Sequence, residues 1–295
     1  MTIRFGRFST LLLLGLAGVL AAQAGEIVVQ DDLGRTVSLP RPAKRIVSLA
    51  PSLTESLFAV GAGDRVAGRT DFCDTPAEAR RVPSIGGMIN PSIESIIART
   101  PDLVVVSMEG NLREDYQRLL SLGIPVFVSN PRTLEGIYRS LGQLALLSGC
   151  DAGGKRLVDS LRAKESALRS RIPRTRSSVL LLVSIHPLMA AGANTLLDNL
   201  LAISGGINLA APLRGHYPAI SREAVLAGDP ETILLTSEVV GSTSELTTLF
   251  PEWSRLRAMR LGRIHRVDAN IISRPGPRAL QGLELLITLL HGTTP

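Results

Sequence analysis

Two glutamates hold matching places in a stretch that the chain writes twice. Residues 92–107 read S-I-E-S-I-I-A-R-T-P-D-L-V-V-V-S, and residues 221–236 read S-R-E-A-V-L-A-G-D-P-E-T-I-L-L-T. Aligned without a gap, they share Ser92/Ser221, Glu94/Glu223, Ala98/Ala227 and Pro101/Pro230. A carboxylate two residues after a capping serine is favoured by the helix dipole and the free N–H groups of the first turn. That explains each glutamate singly. As a pair on equivalent elements of two lobes, Glu94 and Glu223 would be separated on matching surfaces, placed to dock onto basic residues of a symmetric partner. Glycosidase chemistry would need the two carboxyls within about 5–10 Å of each other, which equivalent positions on separate lobes argue against.

The other reactive residues form no catalytic constellation. His186, His216, His265 and His291 are scattered, with no HxxxH, HExxH or CxxC spacing to hold a metal. Ser48, Ser184 and Ser221 lack a G-x-S-x-G setting. Gly86-Gly87 and Gly205-Gly206 lack the Lys and Ser/Thr context of a phosphate loop. Cys73 and Cys150 could form a disulfide or stay free thiols, and spacing does not choose between them. Cys73 as a nucleophile would need a histidine base nearby. No cofactor is expected.

The loops are more informative. Aromatic residues are only 3% of the chain, so an aromatic in a loop is notable. In α/β sheets, ligands bind beyond the carboxyl ends of the strands. Loops at such ends include Arg69 to Pro76, Gly86 to Pro91, Met108 to Asn111, His186 to Met189, Gly215 to Pro218 and Asn270 to Pro275. They carry Phe72, Met88, His216, Tyr217 and Arg274. Phe72 and Tyr217, one from each half, could sandwich a flat apolar ligand.

The elements that must position these residues alternate. Short apolar runs at Arg45–Leu49, Val66–Ala67, Leu103–Val106 and Pro125–Val128 read as strands. Stretches capped by Ser52 or Thr54, Ser92 and Thr133 read as helices. Residues 26–42 read as an extended lead-in with a turn at Asp32-Leu33-Gly34. The rhythm breaks at Gly153–Arg171, where Leu157, Leu161 and Leu168 share one face of a helix of roughly 20 residues, about 30 Å long. It restarts at Ser178. This predicts an α/β fold of two Rossmann-like lobes with mostly parallel sheets, joined by one long connecting helix, with a ligand cleft between them. The expected divisions are 25–150, 151–173 and 174–295.

Arg4 and Arg7, the apolar run Leu11–Leu20 and the Ala22-Gln23-Ala24 pattern read as a secretory signal peptide over residues 1–24. Its apolar run is about half the ~20 residues that a membrane-spanning helix needs. The mature chain is expected to be periplasmic and soluble. Loss of Arg4 and Arg7 takes the formal charge from +6 to +4. The remaining basic residues are scattered and not interleaved with aromatics, which argues against a nucleic-acid partner.

The motifs R-I-V-S-L-A-P-S-L-T-E (45–55), D-F-C-D-T-P (71–76), N-P-S-I-E-S-I-I (90–97) with P-D-L-V (101–104), Y-P-A-I-S-R-E (217–223) and S-R-P-G-P-R (273–278) carry a resemblance. The chain resembles the helical-backbone class of periplasmic substrate-binding proteins of ABC importers, and within it the cobalamin binders; haem and siderophore binders share several of these motifs. The resemblance covers Arg45 to the C-terminus. It implies a monomeric, non-enzymatic carrier that captures cobalamin or a related corrinoid and docks through Glu94 and Glu223 onto a permease dimer in the inner membrane. It implies ligand contacts at Phe72, Met88, His216 and Tyr217 and across Asn270, Ile271, Ile272, Ser273 and Arg274. Ile271-Ile272 stand where the family carries aromatics. A haem binder would instead call on Tyr217 or His216 as an iron ligand. The remaining alternatives are an exported enzyme using Cys73 or a His-bound metal, and a sensor or adaptor that uses the fold without transport.

Overall fold

The computed structural model describes residues 25–237 and 243–292, so the expected signal segment 1–24 lies outside the described residues. No helix among the described residues is long and apolar enough to cross a membrane.

The chain begins with β1 (Ile27–Gln30) and β2 (Thr36–Leu39), paired antiparallel, where the sequence suggested only an extended lead-in. Asp31 ties the turn. Its carboxylate accepts from the backbone N–H groups of Leu33 and Arg35 and pairs with the Arg35 guanidinium at 2.6 Å. The first lobe follows as β3 (Ile46–Ser48), α1 (Pro51–Ala59), β4 (Val66–Arg69), α2 (Ile93–Ala98), β5 (Leu103–Ser107), α3 (Arg113–Ser121), β6 (Val126–Ser129) and α4 (Leu134–Ser148). Its sheet has the order β4-β3-β5-β6 and is parallel throughout. Ser92 and Thr133 cap α2 and α4 as expected. Ser52 and Thr54 do not cap α1. Ala50 is its N-cap with Pro51 next, and Thr54 turns its hydroxyl to Ser48 Oγ at 2.9 Å.

The long helix α5 (Asp151–Arg169) has 19 residues, a rise of about 28 Å. It packs on α4 of the first lobe and, at its other end, on the last helix of the second. The second lobe comprises β7 (Ser177–Ile185), β8 (Leu188–Ala190), α6 (Leu196–Ile203), β9 (Gly206–Asn208), α7 (Arg222–Gly228), β10 (Thr232–Thr236), α8 (Thr243–Leu249), α9 (Arg257–Arg260), β11 (Ile264–Val267), α10 (Ala269–Ile272) and α11 (Ala279–His291). Its sheet runs β11-β10-β7-β8, with β9 beside the start of β7; only β8 is antiparallel. The two copies of the repeat, α2–β5 and α7–β10, hold equivalent places. β5 lies between β3 and β6, and β10 lies between β7 and β11.

The continuous apolar strands are explained by burial on both faces. In β7, Val179 and Leu181 face one cluster, and Leu180 and Leu182 face another. In β5, Leu103 and Val105 face the same first cluster, while Val104 and Val106 face a third. That first cluster is common to both lobes. It joins Leu57 of α1 and Leu141 of α4 to Leu200 of α6 and Leu283 of α11. Each lobe therefore has a private outer core, and the two share an inner one.

Candidate functional site

An open cleft of about 520 Å³ lies where the carboxyl ends of the two sheets meet. Phe72 enters it from the turn after β4, and Tyr217 from the segment beside β8. Both keep large exposure for aromatic rings, 60% and 37%.

Local chemistry holds Phe72 out. Asp71 N–H donates to the Gly86 carbonyl at 2.9 Å, and Cys73 N–H donates to the Thr70 carbonyl at 3.1 Å. The Cys73 thiol lies buried against Thr70 Oγ1 at 3.1 Å. The turn thus packs its cysteine and presents the ring beside it. Tyr217 is fixed by backbone pairing: Ala190 N–H donates to the Pro218 carbonyl at 3.0 Å, and Gly192 N–H to the His216 carbonyl at 2.8 Å. Any Cβ at Gly192 would come within 2.7 Å of the Gly215 carbonyl oxygen, so only glycine lets the segment close. Burial, with the charge of Glu109 adding to it, pushes the Tyr217 phenol up to about 12, so it stays a neutral hydroxyl at neutral pH.

The structure brings Met88, Asn270, Ser273 and Arg274 to the cleft wall with Phe72 and Tyr217. Three of the expected contacts do not line this cleft. Ile272 is fully buried in the shared core, and Ile271 is not on the wall. Their short helix α10 lies against α11, where a Cβ at Gly282 would stand 3.0 Å from the Ile271 carbonyl oxygen. The apolar pair serves that packing, and Asn270 and Ser273 reach the ligand side. His216 also stands off the wall. It meets Arg132 Nη1 at 2.6 Å through Nε2, and that guanidinium also reaches the Asn194 carbonyl at 3.4 Å, a bridge between lobes at the rim.

Sequence reasoning missed Glu55, Glu109 and Asn111. Glu55 is an α1 residue with only 6% of its side chain exposed. It receives Arg278 at 2.7 Å through both its oxygens and Arg274 at 3.3 Å. Arg274 also approaches Asp74 at 3.7 Å. This buried ion cluster pins the segment before α11 to the first lobe. Asn111 is a three-way tie. Its Oδ1 accepts from Ser107 N–H at 2.8 Å, and its Nδ2 donates to the carbonyls of Leu49 at 2.9 Å and Met88 at 2.8 Å. The signal available was the placement of residues 108–111 at a strand end; which side chain mattered depended on the loops meeting there.

Glu94 and Glu223 lie in the first turns of α2 and α7. The Glu94 side chain is 82% exposed, with Arg118 at 4.0 Å as a loose neighbour. Glu223 is exposed, and hydrogen bonds from the backbone and Ser221 hold its carboxyl below the ordinary range. Cys73 and Cys150 are free thiols. Among the described residues, no group of three or more His, Cys, Asp or Glu could hold a metal ion.

This geometry can be set beside known proteins. Residues 46–271 match the family described as "Periplasmic binding protein". A vitamin B12-binding protein of Vibrio parahaemolyticus is 27% identical over 244 residues, 82% of this chain and 87% of that one. An ABC transporter substrate-binding lipoprotein of Bacillus subtilis is 27% identical over 277 residues, covering 91% and 86%. Among solved structures, the periplasmic vitamin B12-binding protein BtuF of Vibrio cholerae superposes with a TM-score of 0.74 at 25% identity, over 84% of this chain and 96% of that one. The periplasmic heme-binding protein RhuT from Roseiflexus has a TM-score of 0.74 at 28% identity, over 84% and 97%. The matched stretch runs from the first strand of one sheet, through the bridging helix, to the α10 segment at the cleft, and the chain belongs to the periplasmic binding protein family.

Proposed function

We propose that this protein is the extracytoplasmic binding component of an ABC importer, and that it captures cobalamin or a related corrinoid and carries it to the permease. One observation carries the reading: Phe72 and Tyr217 stand exposed on opposite lobes across a largely apolar cleft dotted with neutral hydrogen-bonding groups such as Ser107, Thr236, Asn270 and Ser273. A flat macrocycle gains apolar contact from such rings, and a rim of carboxamides finds partners in hydroxyl and amide side chains. The relatives named for vitamin B12 and for ABC transport support the same reading. Glu94 and Glu223, on equivalent helices of the two lobes, are the docking contacts for a pair of permease subunits.

The haem-binding neighbour keeps haem as the second reading. Against it, His216 is paired with Arg132 off the wall, so no histidine among the described residues stands in the cleft for iron. The propionates of haem would also seek a free cation, and Arg274 is already shared by Glu55 and Asp74. Cobalamin brings its own cobalt ligands and neutral amides, so it asks for neither.

The test is calorimetry and absorbance of the mature protein with cyanocobalamin and, separately, with haem. One-to-one heat with cyanocobalamin is expected, weakened about tenfold by Phe72→Ala or Tyr217→Ala, each losing an aromatic contact worth about 1–1.5 kcal/mol. No heat with any cobamide, alongside an iron-ligand spectrum with haem, overturns the reading.

A further inference from the structure

Among the described residues of the cleft wall, two carry formal charge, Glu109 and Arg274. Their surroundings differ. Arg274 lies 3.3 Å from Glu55 and 3.7 Å from Asp74, so two carboxylates share its guanidinium. Glu109 has no ion pair or side-chain hydrogen bond among the described residues, and it is exposed to the cleft.

Nor can Glu109 swing away with its backbone. It stands on the turn after β5, where the Ser107 carbonyl accepts from Asn111 N–H at 3.0 Å and Gly110 N–H at 3.3 Å. Asn111 fastens that turn to the Leu49 and Met88 carbonyls. Met88 lies so close to Gly110 that its Sδ would stand 3.1 Å from an added Cβ. The carboxylate is felt across the cleft at the Tyr217 hydroxyl, where Arg132 opposes it. Arg132 itself is turned to His216 and the Asn194 carbonyl at the rim.

An unanswered carboxylate carried on a tied turn at the wall of the cleft attracts N–H donors and repels a second carboxylate. The rim of a corrinoid is where this distinction matters, because hydrolysis of one rim amide replaces an N–H donor with an anion of the same size. We propose that Glu109 is a specificity-determining residue that selects the ligand by charge, accepting a hydrogen bond from a rim amide and rejecting molecules that carry a carboxylate in its place. This deepens the corrinoid reading and rests on it.

The experiment compares wild-type, Glu109→Gln and Glu109→Asp proteins by calorimetry at low ionic strength. The probes are cyanocobalamin, its separate monocarboxylic acids and haem. Wild-type protein should prefer cyanocobalamin over at least one monoacid by about tenfold, the scale expected of two like charges at the edge of a protein cleft. Glu109→Gln should collapse that ratio to within about threefold and raise haem affinity. Glu109→Asp should restore the ratio, and added salt should shrink it in the wild type; a merely structural role would give none of this pattern. Corrinoid binding with the same ratios in wild type and Glu109→Gln overturns the charge selection and leaves the corrinoid reading standing. No corrinoid binding, with haem affinity raised in Glu109→Gln, overturns the corrinoid reading and the rim-amide contact with it, and leaves only the repulsion of ligand carboxylates by Glu109. No binding of either probe by any form overturns both.

Discussion

Tyr217 shows how a single side chain can be read twice. As an aromatic in a loop it was visible in the sequence, because so few aromatics occur and most would be needed in a core. Its raised pKa was not visible, since that depends on the desolvation of its hydroxyl at the cleft wall and on the charge of Glu109. The sign of the consequence is definite. An unfolded tyrosine ionises near 10, and this one does so only at about 12. The unfolded state therefore loses its proton first, and stability present below pH 10 is lost as pH rises through that window. Ultraviolet titration of the folded protein should show a late-ionising phenol that Tyr217→Phe removes. Ionisation at the ordinary value in the native protein would contradict the burial. Phe72 was legible for the same reason of scarcity. Glu55, Glu109 and Asn111 were not, because a carboxylate or amide announces nothing until its partners are known, and Arg278 lies far from Glu55 along the chain.

The elements were legible where periodicity was strong. The long strands, α4, α5 and the duplicated α2–β5 and α7–β10 units all follow from apolar spacing and capping serines. The three-residue strands β8 and β9 escaped, being too short to show a period. Ile272 turns into the core because an apolar residue beside a cleft satisfies a helix behind it as readily as a ligand before it. In α5, the first turn holds two glycines that helix propensity alone would disfavour. A Cβ at Gly153 would come within 2.3 Å of the Val60 carbonyl oxygen, and one at Gly154 within 2.3 Å of Ala145 Cβ. Gly154→Ala should therefore cost about 1–3 kcal/mol by overpacking, read by urea denaturation, despite alanine's better intrinsic propensity. A gain in stability would show that α5 can shift without penalty. The repeat makes its own prediction at this scale. Glu94→Ala/Glu223→Ala should leave calorimetric cyanocobalamin affinity intact and abolish importer-dependent uptake; persisting uptake would sink the docking role.

Across the whole molecule, what the sequence did not reveal is how the lobes are joined. Two lobes and a long connecting helix were expected, and both are present. The shared inner core and the buried Glu55–Arg278–Arg274 cluster were not foreseeable, since their members come from elements that include α1, α4, α6, α11 and the segment before α11, which no local pattern links. Glu55→Ala would leave the guanidiniums of Arg274 and Arg278, both on the segment before α11, without the first-lobe carboxylate they share. A loss of about 3 kcal/mol is expected, the lower end for a broken buried pair because both arginines are partly exposed. Equilibrium denaturation would check this, and an unchanged midpoint would remove the cluster from the account of the seam.

The common inner core also bears on how the protein empties. Lobes that slide on a flexible strap can open by thermal motion, whereas lobes grown into one apolar mass resist like a stiff clasp. Spontaneous escape of cargo should then be slow and set by contacts in the cleft alone. If the docking role of Glu94 and Glu223 holds, fast unloading would have to be powered from outside, by a body that grips both lobes and strains the seam between them.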